Sequence, residues 1–236
     1  MAQSKRKQPE QQAPPVQKLR IRYAKRGRAR FTSHRDFGRA FERALRRAQI
    51  PMAYSSGFNP HPRVSFANAA PTGAATEAEY LEIGLAQRCD PDRVREALDA
   101  ALPPGLDVLT VVEAAGGGLA DRLTGSRWRI VWPEAAPELL ERAVAAFLAT
   151  DEVLVERLTK NGNRSFDARA AVIELSTRSD GLELLTRHLV PLVRPDDVVQ
   201  GLGIVTPELV VPPGILFTRL EQGELAGSVI GDPLAI

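Results

Sequence analysis

The sequence predicts an α+β protein built of two tandem ferredoxin-like (βαββαβ) sandwiches with antiparallel sheets. Three observations lead there. Between residues 17 and 115, stretches of alternating and of helical hydrophobic periodicity follow one another in the order β-α-β-β-α-β, the split βαβ signature of that sandwich. A similar order recurs between 127 and 222, and Gly116, Gly117 and Gly118 sit in the 116–126 linker separating the two runs. With 236 residues, the chain has room for two domains of about 100 residues each, enough for ordinary cores.

Residues 1–16 lack periodicity and are rich in Gln, Pro and charge, which predicts a disordered basic tail. Leu19, Ile21 and Tyr23 then alternate with Arg20 and Arg22, a half-buried strand with arginines on its outer face. Gly27 marks a turn in the basic run KRGRAR. A helix starts at Ser33, an N-cap residue with Asp36 three positions on. Phe37, Phe41 and Leu45 form its apolar stripe, Arg35, Arg39 and Arg43 lie off that stripe, and Pro51 ends it. The stretch 51–63 is a loop punctuated by Pro51, Gly57, Pro60 and Pro62.

Strands follow at 64–68 and 78–85, a helix at 91–101 with Asp90 as N-cap and Pro91 at its first position, and a strand at 106–114. In the second half the pattern predicts a strand at 127–133, a helix at 137–149 and a strand at 153–160. A hairpin around Ser179-Asp180-Gly181, a helix at 195–203 and a strand at 215–222 complete it. Residues 223–236 are expected to be loose.

Net charge is only +2, but the first fifty residues carry 15 Lys/Arg against Glu10, Asp36 and Glu42, while the remainder is acidic. A basic end on an acidic protein is the electrostatic footprint of a polyanion partner. No apolar run approaches a membrane span and no secretory h-region is present, so a cytoplasmic protein with no membrane partner is expected. Cys89 is the lone cysteine, which excludes an intrachain disulfide framework and a Cys-ligated iron–sulfur cluster.

Around the helix start, Ser33, His34 and Arg35 with Arg28 and Arg30 have the make-up of an anion site on free backbone N–H groups; the same residues also read as a capping box with an exposed histidine. His34 and Asp36 are the candidate acid–base residues, since an imidazole titrates near neutrality. His34, Asp36 and His61 are metal-compatible donors without ligand spacing, and no metal or cofactor is expected. Tyr54, Phe58 and His61, interleaved with Ser55 and Arg63, suit stacking on bases beside phosphate contacts; Tyr54 and Phe58 would equally close one end of a core. His188, on an alternating strand, reads as structural.

The motifs KRGRARFTSHRDFGRAFERALRRAQIP, AYSSGFNPHPRVSFA and TEAEYLEIGL, in this order, resemble those of the radical-SAM-linked (radical-SAM-associated) bacterial protein family. Arg35 stands where that family usually has an apolar residue. The resemblance implies a companion of a radical SAM enzyme in an RNA-processing or ribosomal setting, and the absence of a three-cysteine cluster motif means this chain is not that enzyme. The expected function is an accessory protein that binds RNA or a ribosomal substrate beside such a partner. Arg20, Arg22, Lys25, Arg26, Arg28, Arg30, Arg46 and Arg47 would meet phosphates, and Ser33, His34 and Asp36 with Tyr54, Ser55, Phe58, His61 and Arg63 would form a selective pocket. An endoribonuclease-like enzyme with His34 as acid or base, and a protein-interaction module, are the alternatives.

Overall fold

Residues 11–132, 135–159 and 162–235 are described in the computed structural model. Residues 1–10 of the tail expected over 1–16, and the end of the strand expected at 160, lie outside them. The first half runs β1 (Gln17–Lys25), a 3-10 turn (Gly27–Phe31), α1 (His34–Arg47), β2 (Val64–Ala67), β3 (Ala75–Leu85), α2 (Pro91–Ala101) and β4 (Leu106–Glu113). The second runs β5 (Gly125–Val131), α3 (Pro137–Ala149), β6 (Leu154–Thr159), β7 (Gly162–Asp167), β8 (Val172–Arg178), β9 (Gly181–Arg187), α4 (Pro195–Val205), β10 (Leu216–Ala226) and β11 (Val229–Gly231).

Among the described residues this is a mixed α+β fold with four helices and one large, mostly antiparallel sheet of nine strands. In the first half β4, β1 and β3 lie side by side and β2 pairs the outer edge of β3. In the second the order is β10-β5-β9-β8, which is the same arrangement when the strands are counted afresh. The expectation of separate sheets is corrected: β10 pairs β3 in parallel at Thr218↔Ala75 and Arg219↔Thr76, fusing the two halves. β2 is short because it shares that edge of β3 with β10, taking Tyr80 to Ile83 while β10 takes Ala75 and Thr76.

Each pair of helices packs on its own half. Phe37, Phe41, Ala44 and Leu45 of α1 and Val94 and Leu98 of α2 close over Leu19, Ile21, Leu81 and Ile83. Tyr23 stacks on Phe37 at 4.5 Å between centroids. Leu140 and Phe147 of α3, and Val198 and Leu202 of α4, do the same over Trp128, Ile130, Leu182 and Leu184.

Three sequence expectations fail for stated reasons. β6 pairs with β7 in a two-stranded sheet outside the large one; β7 escaped notice because, apart from Phe166, it is polar and mostly exposed. The 116–126 stretch is no free linker: Leu119 and Leu123 are buried, with Leu234, against Ala67, Ala78 and Tyr80 on the sheet face opposite the helices. The C-terminal residues are not loose either. β10 continues to Ala226, β11 pairs with it, and Arg122 donates to the carbonyls of Pro233 and Ala235 at 3.0 and 2.7 Å.

Candidate nucleic-acid interface

The covered sheet face removes the strand arginines from the candidate surface. Arg20 is 3% exposed, donating through Nη1 to Ala115 O at 2.7 Å, through Nη2 to Gly117 O and through Nε to Glu82 at 3.3 Å. It fastens the 115–117 segment to the sheet and meets no phosphate. Arg22 is half-buried and donates to Glu77 O at 2.8 Å. Lys25 is buried, and that burial lowers its pKa, partly opposed by Glu79. Arg26 is half-exposed but clamped by Glu77 and by Asp107 at 2.7 Å, and the hydrogen bond it donates to Glu77 is the main cause of its raised pKa.

What stays outward is the turn and α1. Ser33 is the N-cap: its Oγ accepts from Asp36 N at 3.2 Å and donates to Asp36 Oδ2 at 2.7 Å. That exchange fixes the helix start and engages the Asp36 carboxylate. Arg28, Arg35, Arg39, Arg43, Arg46 and Arg47 are all exposed. The five on α1 fall on one face by their spacing, opposite the buried Phe37 and Phe41. Glu42 approaches Arg46 only to 4.0 Å, and Arg47 donates to Ala101 O at 3.1 Å.

Exposed aromatic rings stand on the turn before α1 and on the loop after it. Phe31 is 60% exposed with the Arg30 guanidinium 4.6 Å above its centroid, and Phe58 is 67% exposed. The loop carrying Tyr54, Ser55, Phe58, His61 and Arg63 is held as a narrow hairpin. Ser55 N donates to His61 O at 2.8 Å, His61 N to Ser55 Oγ at 3.0 Å, and Arg63 Nε to Tyr54 O at 3.1 Å. Ala53 N to Gly84 O and Gly84 N to Arg63 O, at 2.8 and 2.9 Å, pin its base to β3. Tyr54 and Phe58 therefore do not close the core; both are exposed. His34 is exposed and meets Phe66 edge-on at 4.8 Å. Among the described residues no group of three or more His, Cys, Asp or Glu is placed to hold a metal ion, and no helix is long and apolar enough to cross a membrane.

Sequence reasoning missed a second cluster, where the halves join. Arg219 of β10, 3% exposed, pairs with Glu79 of β3, 2% exposed, at 2.7 Å, and also donates to Asn68 O and Gln222 Oε1. Beside it, His188 Nδ1 lies 2.6 Å from Leu123 O and Nε2 lies 2.8 Å from Ser126 Oγ. The carbonyl can only accept, so Nδ1 carries the proton and Nε2 accepts from the serine hydroxyl. Burial lowers the His188 pKa, which favours the neutral ring, against the opposing pull of the Leu123 carbonyl. No periodicity marks these residues; only the buried charges of two distant strands would have signalled them.

The family model described as "Uncharacterized protein conserved in bacteria (DUF2344)" matches residues 18–195, well over half of the chain. The chain belongs to this family. Among curated proteins, none matches it significantly. The part shared with DUF2344 takes in the arginine face of α1, the 54–63 loop, Ser126 and His188, whereas Arg219 lies beyond it.

Proposed function

We propose that this DUF2344 protein is a non-catalytic, RNA-associated accessory protein that holds a single-stranded segment across α1 and the 54–63 loop. The observation that carries the reading is the outer face of α1: five exposed arginines on one side of a helix, with the exposed rings of Phe31, Tyr54 and Phe58 on the turn before it and the loop after it in the chain. Arginines supply sequence-independent phosphate contacts, and unpaired bases stack on exposed aromatics. The acids on that side, Asp36 and Glu42, leave a surplus of positive charge, and Asp36 is already engaged by Ser33.

The repeated strand order supports a duplicated ferredoxin-like unit as the scaffold. RNA-recognition modules of that plan use the open sheet face; here that face is covered around Arg20, so the helix side is the interface. The partner in this reading is a radical SAM enzyme, on the strength of the sequence resemblance alone. Catalysis by His34 lacks support, because among the described residues no hydrogen bond orients its imidazole.

The double charge reversal Arg39→Glu with Arg43→Glu tests the interface. Fluorescence anisotropy on a mixed-sequence single-stranded RNA should show affinity at least about tenfold weaker, with the circular dichroism spectrum unchanged. Unaltered affinity overturns the assignment.

A further inference from the structure

Arg22 sits directly opposite Tyr80 on the paired strands β1 and β3, so the two side chains share a sheet face. It is the face turned away from the helices, where Tyr80 packs with Ala78 and Leu234. With Glu221, Ile230, Asp232 and Pro233 they line a hollow of about 160 Å³. Its residues come from β1 and β3 in the first half and from β10, β11 and the chain just after them in the second. That second set is held in place. β11 approaches β10 so closely that a side chain at Gly223 would collide with Gly231 O, and Arg122 donates to the carbonyls of Pro233 and Ala235.

Three polar groups in this hollow are unmatched. Arg22 donates only through Nε, to Glu77 O, which leaves both Nη groups without a partner and the charge without an acid in ion-pair distance among the described residues. Tyr80 is 3% exposed, yet its hydroxyl has no hydrogen-bond partner among the described residues. Nor is it one of the unpartnered atoms sealed from solvent, which are Arg30 Nε, Arg169 Nε and Arg219 Nε. A hydroxyl neither bonded nor sealed opens onto the hollow that Tyr80 lines, and a polar group so placed is rare. Asp232 accepts from Leu234 N at 2.9 Å through Oδ1 and pairs with no cation among the described residues. Glu221, by contrast, already holds Arg127 at 3.0 Å. Burial pushes the Tyr80 pKa up to about 12, with Arg22 pulling it down and Asp232 raising it in turn. The phenol therefore keeps its proton at neutral pH, and both charges act on it.

We propose that the hollow binds a small free α-amino acid, its carboxylate on the Arg22 Nη groups and the Tyr80 hydroxyl and its ammonium on Asp232. A guanidinium and a phenol are the donors a carboxylate needs, and their hydrogen bonds to it are charge-assisted. A ligand with one charge alone would meet a like charge in the same hollow, an anion at Asp232 or a cation at Arg22; a zwitterion meets an opposite charge at each. The volume is well below the roughly 300 Å³ at which pockets for larger ligands begin, which restricts the rest of the ligand to a small group against Ile230 and Pro233. Bound there, it would tie the first-half strands to the C-terminal residues. The site lies on the sheet face opposite α1 and does not rest on the RNA reading.

Calorimetric titration of the full chain with glycine, L-alanine and L-serine, and at matched ionic strength with acetate and methylammonium, is the test. At least one amino acid should bind about tenfold or more tightly than either single-charge probe, and should raise the melting temperature. Tyr80→Phe removes a hydroxyl that no described protein group uses, so it should leave the melting temperature of the unliganded protein unchanged while weakening the amino acid about tenfold. Asp232→Asn keeps an oxygen for Leu234 N and should weaken it by about as much. Binding by none of the three amino acids overturns the site, as does an affinity that both substitutions leave intact. Acetate binding as tightly as the amino acids marks a plain anion site, methylammonium doing so marks a plain cation site, and either overturns the proposal.

Discussion

Replacing Glu79 with alanine should be among the most damaging single changes in the protein. Glu79 and Arg219 are 2% and 3% exposed and 2.7 Å apart, so Glu79→Ala leaves a guanidinium in the interior without its counter-charge. The same carboxylate accepts from Ala70 N at 2.9 Å and hydrogen-bonds the Tyr23 hydroxyl, whose pKa is raised chiefly by burial. Lys25, buried beside it, also loses its favourable Coulombic partner. Removing one member of a buried ion pair costs about 3–5 kcal/mol, and the orphaned Ala70 N–H places this case toward the upper end. In a chain of this length each kcal/mol is worth roughly 2–4 °C, so the melting temperature should fall by roughly 6–20 °C. Thermal and urea unfolding followed by circular dichroism measure it. The paired change Glu79→Leu with Arg219→Met, which removes both charges, should recover most of the loss. A single substitution within about 1 kcal/mol of wild type would refute the claim that this pair holds the two halves together.

Three further outcomes follow from local geometry. Ser33→Ala removes the acceptor for Asp36 N and should cost about 1 kcal/mol in urea unfolding. Gly181→Ala should cost roughly 2 kcal/mol or more, because φ is +147° and the added Cβ would collide with Ile130 O; equal stability would contradict the turn geometry. Burial, then the neighbouring Asp197, raises the Asp196 pKa. A carboxyl whose folded pKa exceeds its unfolded one contributes stability that is present below about pH 4 and lost as pH rises through the folded pKa. Asp196→Asn should therefore raise the melting temperature at neutral pH, and the gain should vanish in acid.

Local chemistry made much of the fold legible. The Ser33 and Asp90 caps, the α1 apolar stripe and the Ser179-Asp180-Gly181 turn each specify their element through near neighbours, and the structure places α1, α2 and the β8–β9 hairpin accordingly. Alternation correctly set Arg20 on the face away from the helices. It gave no means of knowing that residues 115–123 would fold back over that face and bury it. The Glu79–Arg219 pair joins residues 140 positions apart, and no window of sequence contains both. For the candidate site, periodicity set Arg35, Arg39 and Arg43 off the apolar stripe of α1, whereas Tyr54 and Phe58 read equally as core residues and nothing in the pattern singled out Phe31. Ser126 sits on β5 and His188 just past the end of β9, and only the pairing of those two strands brings a hydroxyl and an imidazole together.

The central claim, that the arginine face of α1 holds the phosphates of a single strand, is most directly tested by a salt titration of RNA binding. Each phosphate contact on a single strand contributes a slope of roughly −0.7 to the dependence of log affinity on log salt. Five arginines on one face predict a slope of about −3 to −4 for the wild-type protein. A slope near zero, or no binding even at low salt, would contradict the account.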